Sequence, residues 1–591
     1  MDDLPIGASS DLYPRLLDDV RYVECQGGVY IQSEQNSCVV TGEHAYQWIH
    51  RLAPHWDGTR SLAEIAAGLP SPHQQLIRQL TDTLLENHFI MDSRQEAPHT
   101  LSESELKRYA GEIAFIRYRH DSAEARFQRL RTARILLTGD SPVASAISRA
   151  GRESGWQYLD SAESFDFSDE TAAWITKYNV VVQVETGDDP ARLARSSAMC
   201  ARAGVPLAQA WVRTHEVWLT GVLTAERAAG PAWYRLPVMP EPGDSSWLTG
   251  SVPQLIAAQT TLSCFRHLTG TQNNHPRVLS DADTSTMLHR FDVQTLETTT
   301  HRFRRPAEDP ARHPEHSRAA VSSFEAEPRV RLAALLGGVE ELVDPHLGPL
   351  HDLSAQDLPQ LPLPTCMATI PAPLQPSQHI PVLGWGTDGQ TARARAAMSA
   401  LAVHAALLAR EAAWGTCLVD GSQRRVVPTD SLVGVAAGQT WGEAVEAGLL
   451  AHCEALLADR SGPPVTLPAE CTRLLDLTGE RYQVHELTGV LGLPAYTVSV
   501  NGMVIARAVA ATPGQAQARV MERALLYWQA QLAGQPQLAG HAARWPEPMD
   551  CGHGVDSFTR ALQRVTELSP VAIPLPRIGP AFAARVVLCD D

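Results

Sequence analysis

Paired cysteines are missing from this sequence. Its ten cysteines are scattered over 591 residues, and no two of them form the Cys-x-x-Cys pair of a zinc ribbon. They stand at positions 25, 38, 200, 264, 366, 417, 453, 471, 551 and 589. Scattered thiols of this kind are mostly small, buried apolar groups. The sequence therefore predicts a protein with no metal site.

Long apolar segments are missing too. No run approaches the roughly 20 apolar residues that a membrane-spanning helix needs. The first five residues, Met-Asp-Asp-Leu-Pro, have neither the basic start nor the apolar core of a secretion signal. Hydrophobic residues make up 44% of the chain and charged residues 19%, as in an ordinary globular protein. We expect a cytoplasmic protein of three or four domains that contacts no membrane.

Positive charge is in short supply. The chain has 49 Lys and Arg against 66 Asp and Glu, which gives a net charge of -17. Because contacts to phosphate dominate the affinity for nucleic acid, a binding protein of that class needs a basic surface. The same argument applies to anionic membranes. We therefore expect neither nucleic acid nor membrane among the partners.

The stretch from Val20 to Asp92 has the pattern of a complete small module. Short apolar runs at Arg21–Glu24, Val29–Ile31 and Cys38–Val40 are separated by turn residues, which predicts three strands joined by tight turns. From Ala45 the apolar residues follow a period of 3.6, which predicts helices. The pattern indicates three helices before a last short strand, His88–Met91.

Two helix starts in this module are predicted from their capping residues. Ser61 and Glu64 form the pattern of a capping box, in which the hydroxyl and the carboxylate each accept a backbone amide. Ser71 precedes Pro72, which favours a cap followed by proline in the first turn of the third helix. Three strands, three helices and a final wing predict a winged helix-turn-helix over residues 1–98.

A winged helix has two common uses, DNA binding and peptide capture. The third helix offers Arg78, flanked by Asp82 and Glu86, so binding in the major groove is disfavoured. In peptide capture an extended peptide adds a strand to the sheet edge and lies beside the third helix. This geometry predicts a set of peptide-binding residues: Tyr30, Cys38, Val39, Val40, Gln75, Gln79, Leu80 and Thr83. A module that only packs against its neighbours is the alternative.

The module resembles the leader-peptide recognition domain of the ocin-ThiF proteins, which act in azole formation on ribosomal peptides. The Leu-Asp-Gly turn of that family appears as Trp56-Asp57-Gly58. Residues 99–325 alternate predicted strands and helices, which indicates a parallel α/β sheet. Their order resembles the E1/ThiF-like adenylating fold, whose active members bind nucleotide phosphates with a glycine-rich turn and carry zinc-binding Cys-x-x-Cys pairs.

The middle region lacks the residues that this resemblance implies for nucleotide binding. Gly139 is the one glycine where Gly-x-Gly-x-x-Gly would need three, and the following Asp140 would repel phosphate. No cysteine stands at Gly230–Trp233 or Arg304–Ala307, the stretches that correspond to the zinc motifs. We expect a degenerate domain that keeps the fold. Residues 302–328 have the composition of a linker, and His301, His313 and His316 are predicted to be solvated there.

Residues 326–591 resemble a YcaO domain. The resemblance rests on Leu342–Leu350, Leu361–Pro364 and Gly384–Thr387. YcaO domains are ATP-dependent cyclodehydratases that form azolines from Cys, Ser and Thr, and glutamates on their helices hold ATP and magnesium. An Asn-Gly pair, Asn501-Gly502, separates two apolar runs and predicts a hairpin.

Most of the glutamates that the resemblance implies are absent. Both are missing from the helix around Ser399–Val403, and one of two, Glu454, remains in the next motif. Arg523 occupies the glutamate position of the third helix, although a shift of one residue would place Glu522 there. Magnesium triphosphate needs carboxylate oxygens, so we expect a pseudoenzyme with no catalytic residue and no cofactor of its own.

The sequence thus predicts a multidomain α/β protein: an α+β winged helix, an E1/ThiF-like α/β domain and a degenerate YcaO-like α+β domain. The whole resembles the F proteins of thiopeptide and related azole (TOMM) pathways. The resemblance implies a non-enzymatic scaffold that binds a precursor leader peptide and presents its core to a separate YcaO cyclodehydratase, which uses ATP and magnesium. A homodimer or a heteromer with that partner is expected by analogy. The alternatives are a fused cyclodehydratase with a divergent ATP site built on Glu454 and Glu522, and a winged-helix DNA-binding regulator.

Overall fold

A computed structural model describes most of the chain. The described residues are 12–33, 36–93, 96–118, 120–164, 169–187, 189–236, 247–271, 286–304, 309–372, 375–409, 411–429, 431–458, 460–476, 478–538 and 554–590. They form two compact units. Of the described residues, the first unit contains those within 12–229, 247–271 and 288–299, and the second contains those within 230–236, 286–287 and 300–590. The fold is mixed α/β, as the sequence predicts.

The first unit begins with a small module of five strands and three α-helices. Its strands are β1 Pro14–Leu16, β2 Arg21–Cys25, β3 Gly28–Gln32, β4 Ser37–Thr41 and β5 Ile90–Asp92. Its helices are α1 Ala45–Leu52, α2 Leu62–Ile65 and α3 Ser71–Glu86. The three predicted strands form an antiparallel sheet in the order β2-β3-β4. The three predicted helices are confirmed as well.

The capping predictions had different outcomes. Ser61 and Glu64 form the expected capping box, in which the Glu64 amide donates to the Ser61 hydroxyl over 3.2 Å. Ser71, by contrast, is the first residue of α3, and Pro70 takes the N-cap position without a side-chain bond. The predicted closing strand exists as β5, but it pairs with β1 in a separate two-stranded sheet. Strand β1 has no counterpart among the strands that the sequence predicts.

A seven-stranded sheet follows the small module along the chain. Its strands are β6 Arg134–Thr138, β7 Tyr158–Ala162, β8 Val180–Glu185, β9 Leu207–Val212, β10 Glu216–Thr220, β11 Thr286–Asp292 and β12 Thr298–Phe303. The helices of this part of the chain are α4 Glu103–Arg108, α5 Ala110–Arg117, α6 Ala123–Thr132, α7 Pro142–Glu153, α8 Asp169–Ile175, α9 Pro190–Ala203, α10 Gly230–Trp233 and α11 Val252–Thr269.

The order of this sheet is β12-β11-β10-β9-β8-β6-β7. The strands β7, β6, β8 and β9 are parallel, and β10 and β11 extend the sheet antiparallel. Alternate residues of each strand face opposite layers of helices. Leu137 packs in the core that includes α6, α7 and α11, whereas Leu136 packs with residues of α8 and α9. The predicted parallel sheet is thus confirmed for four strands.

The described residues of the second unit form three antiparallel sheets. Its strands are β13 Asp352–Ser354, β14 Thr365–Ala372, β15 Gln375–Trp385, β16 Ala413–Cys417, β17 Gln423–Val426, β18 Val435–Gly438, β19 Pro464–Val465, β20 Tyr482–Glu486, β21 Ala495–Val500, β22 Met503–Val509, β23 Ser569–Pro574 and β24 Phe582–Cys589. Their orders are β13-β14-β15, β17-β16-β23-β24-β18 and β19-β20-β21-β22.

Several helices cover these sheets. They are α12 Pro314–Ala326, α13 Leu332–Glu340, α14 Gly389–Leu408, α15 Trp441–Ala455, α16 Ala469–Asp476, α17 Thr488–Leu491, α18 Pro513–Leu532 and α19 Val555–Thr566. The predicted hairpin is confirmed: β21 and β22 are joined by Asn501 and Gly502, whose φ angles are 51° and 81°. Positive φ at both central residues is the geometry that an Asn-Gly pair favours.

The prediction of a linker over residues 302–328 is wrong. Strand β12 continues to Phe303, and α12 occupies Pro314–Ala326. His301 on β12 is buried, and its Nδ1 lies 3.0 Å from a carboxylate oxygen of Asp344. The rings of His313 and His316 stack edge to face, 5.2 Å apart. The polar composition was misleading because polar contacts help to hold α12 in place. One of them is the hydrogen bond that the Ser317 hydroxyl donates to the Trp414 carbonyl.

Helix α14 packs unusually close to the sheet beneath it. It is rich in alanine, and most of its residues from Ala392 to Ala406 are buried. A Cβ atom at Gly384 on β15 would lie 2.2 Å from the backbone nitrogen of Ala396 and 2.4 Å from the carbonyl oxygen of Ala392. The helix backbone therefore rests directly on this glycine. None of the helices in the described part of the chain is both long and apolar enough to cross a membrane.

We expect Gly384→Ala to lower the free energy of unfolding by roughly 3 kcal/mol, because the added methyl group meets backbone atoms that cannot rotate away. Gly389→Ala is the matched control. No atom lies within 4 Å of a Cβ at Gly389, the first residue of α14, so it should be neutral or stabilise by about 0.5 kcal/mol. Urea denaturation followed by circular dichroism measures both, and equal stability of the two variants would contradict the close packing.

Candidate functional site

Strand β4 forms one edge of the three-stranded sheet, and its pairing with β3 shows which groups are unpaired. The amide of Ser33 donates to the Asn36 carbonyl, and the amide of Gly42 donates to the Gly27 carbonyl. Hydrogen-bonded and non-bonded pairs alternate in an antiparallel ladder. In the observed register, Tyr30 opposite Val39, that alternation gives bonded pairs at Cys38 and Val40. The N–H and C=O of Val39 therefore point outward from the sheet.

The residues around this edge lie on two faces of the sheet. Val23, Tyr30 and Val39 are directly opposite one another across the three strands, and we call them the outer row. Val23 is 57% exposed and Val39 is 53% exposed. Cys38 and Val40 lie on the other face, where they are half-buried and pack against the core of the module. A peptide strand paired with β4 would meet both faces with alternate side chains.

The four predicted residues of α3 do not share one environment. Leu80 is buried in the core of the module, whereas Gln75 and Gln79 are exposed. Thr83 is half-buried, and its hydroxyl donates to the Gln79 carbonyl over 2.9 Å. The side chain of Asn36 donates to the carbonyl of Asn87, which ties the start of β4 to the end of α3. Leu80 therefore supports the site from beneath, and Gln75 and Gln79 remain accessible.

Sequence reasoning missed one member of the outer row. Val23, on β2, lies opposite Tyr30 on β3 and extends the apolar row across the whole sheet. The signal was present in the alternation of β2, whose apolar residues Tyr22 and Val23 face opposite sides. Burial raises the pKa of the Cys38 thiol, so this predicted contact is an uncharged group at neutral pH.

The surface of α3 is acidic rather than basic. Desolvation by burial raises the pKa of Asp82, the charge of Glu86 raises it further, and Arg78 opposes both. A helix that enters the major groove needs positive charge toward the phosphates. The carboxylates of Asp82 and Glu86 therefore disfavour a DNA-binding role for α3.

A second candidate place is the turn between β6 and α7, which lies where the strand order reverses in the parallel sheet. Gly139 has a φ angle of 117°, and a Cβ there would lie 2.3 Å from the Val184 carbonyl oxygen. Ser141 already accepts the Ala144 amide at the start of α7, and Pro142 has no N–H to offer. With Asp140 beside them, these residues do not fit a bound phosphate.

The third candidate place lies on the helices where the resemblance implies carboxylates. The segment Ser399–Val403 of α14 is buried and carries no acidic residue. On α15, Glu443 accepts the Gln439 amide over 2.8 Å and thereby caps its own helix. Two further acidic residues lie on α15, the buried Glu446 and, near the end of the helix, Glu454, and the resemblance implies a glutamate at the position of Glu454.

Glu454 is engaged by two arginines of α18. A carboxylate oxygen lies 2.9 Å from Nη1 of Arg523, and the other lies 3.9 Å from Nη2 of Arg519. All three side chains are largely buried, with exposures of 9–15%. Arg523 also donates to the Arg507 carbonyl. Glu522, the alternative ligand, is half-buried beside Arg523.

These residues do not fit a magnesium nucleotide. A hard divalent cation needs several free carboxylate or carbonyl oxygens, and Glu454 is instead neutralised by guanidinium groups. Within the described ranges, no three His, Cys, Asp or Glu side chains are grouped so that they could hold a metal ion. The geometry of α15 and α18 is that of a buried ion-pair network between two helices.

Comparison with solved structures identifies the fold. A heterocyclase solved in complex with substrate and cofactor has a TM-score of 0.60 and 15% identity, over 98% of this chain and 94% of that chain. The heterocyclase TruD has a TM-score of 0.54 and 14% identity, over the same shares of the two chains. This chain has the fold of those heterocyclases. No family model and no curated protein matches the sequence.

The comparison corrects one prediction. The absence of most of the expected glutamates from the sequence predicts that the chain is not an enzyme. Both similar structures are heterocyclases, and one of them was solved with substrate and cofactor bound. The prediction of a non-enzyme is therefore contradicted. The error came from treating the lost carboxylates of one site as evidence about the whole chain.

We expect Glu454→Gln to lower the free energy of unfolding by about 3 kcal/mol, since it leaves Arg519 and Arg523 buried without their shared carboxylate. Glu411→Gln provides a control at an exposed position of the same unit, where the change should stay within about 0.5 kcal/mol. Thermal unfolding at neutral pH measures both. If Glu454→Gln melts like the native protein, the network does not stabilise the contact between α15 and α18.

Proposed function

We propose that this chain binds the leader of a ribosomally made precursor peptide along β4. It takes part in converting Cys, Ser or Thr residues of the core peptide into azolines, together with an ATP-dependent YcaO cyclodehydratase. In this proposal residues 1–98 are the peptide-recognition domain, residues 99–325 the ThiF-like domain and residues 326–591 the YcaO-like domain. The observation that carries the proposal is the open, uncharged edge of β4.

The two edges of the small sheet differ in a way that favours β4. Edge strands are protected against unwanted pairing by charged residues. Strand β2 carries Arg21 and Glu24, and the ring of Tyr46 lies 6.0 Å from that of Tyr22 on this strand. Strand β4 carries no charged residue and exposes Val39. Strand β4 is thus the edge that favours backbone hydrogen bonding with an extended peptide.

The likeness of fold supports the second half of the proposal. It extends over 98% of this chain, so the small module and both larger parts have counterparts in a heterocyclase that was solved with its substrate. Holding a leader on one part of such a protein raises the effective concentration of the core peptide at the reacting centre. Each ring closes with loss of one water molecule, which gives the reaction a direct readout by mass.

A second candidate is a cyclodehydratase that closes rings without a partner, and the heterocyclase fold favours it. The sequence places such a divergent ATP site at Glu454 and Glu522, but the Glu454 carboxylate is already paired with Arg519 and Arg523. Ring formation by this chain alone would therefore use other residues.

We expect a fluorescently labelled leader peptide from the cognate precursor to bind the native chain, with or without ATP. Val39→Pro should weaken that binding at least about tenfold, because proline has no N–H to donate to the peptide at this outward-facing position. The hydrogen bonds between β4 and β3 should remain, since they are made at Cys38 and Val40. Fluorescence polarisation measures the affinity.

Glu24→Pro is the matched control. The pairing of Val23 with Tyr30 makes Glu24 an outward-facing residue of the opposite edge, so the same change falls on β2. Affinity that is lost equally in both variants, or in neither, would overturn binding at β4. Val39→Ala keeps the amide and should retain most of the affinity.

Reconstitution separates the two candidate functions. Precursor peptide and ATP are incubated with this chain alone, and then with a YcaO cyclodehydratase added, and mass spectrometry counts the lost water molecules. Rings formed only with both proteins would support the joint reaction, and rings formed by this chain alone would support the second candidate. Leader binding without water loss under either condition would overturn the role in ring formation.

A further inference from the structure

A groove of about 480 Å³ opens between α11 and the antiparallel strands of the first unit. Its volume lies in the range of ligand-binding pockets. Leu219 on β10 and His289 on β11, which are directly opposite in the sheet, form part of its wall. On the far side Gln259 of α11 donates to the Thr298 hydroxyl of β12 over 3.2 Å. The groove lies on the antiparallel half of the sheet, away from the turn between β6 and α7.

The charged side chain of the groove is that of Arg266. No Asp or Glu is among the lining residues. The guanidinium group of Arg266 has no ion pair or hydrogen bond with any residue that the structure describes, although many arginines of this chain pair with carboxylates. An arginine that lines a groove without a neighbouring carboxylate favours an anionic ligand.

The outward face of α11 adds apolar contacts in line with that arginine. Leu255, Gln259, Leu262 and Arg266 follow one another at intervals of four, three and four residues, so they share one face of the helix. Leu255 is 42% exposed and Leu262 is 41% exposed. Along the helix this face thus offers an aliphatic side chain, an amide, a second aliphatic side chain and, at its end, a cation.

We infer that this groove binds a short peptide segment in which an aliphatic residue is followed by a carboxylate side chain. The aliphatic side chain covers Leu262 and Leu219, and the carboxylate pairs with Arg266. The amide of Gln259 and the hydroxyl of Thr298 are placed to bond the peptide backbone. This site is separate from the edge of β4 and does not depend on the proposed leader contact.

The test uses the full chain and three fluorescein-labelled peptides that differ at one position: Gly-Leu-Ala-Glu-Gly-Gly and its Gln and Lys counterparts. The Glu peptide should bind about three- to fivefold more tightly than the Gln peptide, because a partly exposed ion pair is worth about that factor. About 0.5 M sodium chloride should weaken the binding of the Glu peptide more than that of the Gln peptide, because its ion pair with Arg266 is partly exposed to solvent.

Variants locate the binding. Arg266→Glu should replace the preference for the Glu peptide by a preference for the Lys peptide, and the affinity for the Gln peptide should stay unchanged. Arg266→Lys should retain part of the preference for the Glu peptide. Arg202→Glu is the control, since Arg202 is an exposed arginine of α9 in the same unit that does not line the groove. Val39→Pro should leave the binding of all three peptides unchanged, which separates this site from the proposed leader contact.

The inference is overturned if the Glu and Gln peptides bind equally, or if Arg266→Glu and Arg202→Glu have the same effect. Protection of Arg266 from phenylglyoxal, measured by mass spectrometry, provides a second readout. The Glu peptide should protect this residue at concentrations near its dissociation constant. Protection by free acetate at the same concentration would show that the groove selects an anion and not a peptide, which would also overturn the inference.

Discussion

The close packing of α14 on β15 constrains much of the second unit. The helix is buried on nearly all sides, with alanines from Ala392 to Ala406 against β14, β15 and β18, and Gly384 admits its backbone. A helix in this position has no surface on which a carboxylate could stay hydrated. Burying an unpaired carboxylate would cost several kcal/mol, so the loss of acidic residues around Ser399–Val403 and the tight packing are consistent with each other.

Helices α15 and α18 depart from the resemblance in another way. Glu454 keeps its carboxylate, and the neighbouring helix supplies two guanidinium groups, so opposite charges are paired within the protein. Breaking such a buried pair is costly, because it leaves one charge without compensation. The two helices are thus held by an ion-pair network at the place where the sequence resemblance implies a metal nucleotide. Similarity of fold and difference of local chemistry are both present in this unit.

How far the sequence predicts the structure depends on how local the determining interactions are. The strands at Arg21–Cys25 and Ala495–Val500, the capping box at Ser61 and the turn at Asn501 were all predictable, because alternation and turn chemistry act within a few residues. Strand β1 and the burial of His301 were not, since both depend on partners far along the chain, at Ile90–Asp92 and Asp344.

In the candidate site, too, locally determined features were predictable from the sequence and features that depend on distant residues were not. The edge residues Cys38, Val39 and Val40 were predicted, whereas their distribution over two faces and the membership of Val23 in the outer row required the register between β2, β3 and β4. The outward direction of the Val39 amide could not be predicted from composition. It follows from the hydrogen bonds at Ser33 and Gly42, which fix the alternation of the ladder.

Charge distribution separates the two surfaces to which peptides are assigned. A chain with a net charge of -17 repels acidic peptides at long range, so it can retain them only where a local cation outweighs that field. Arg266 provides such a cation in a groove without carboxylates, whereas β4 has no charged residue. In our two proposals, backbone pairing at β4 therefore imposes little requirement on the charge of its peptide, whereas the groove requires a carboxylate. Recognition of an extended backbone and recognition of charge would then fall on separate surfaces of the chain.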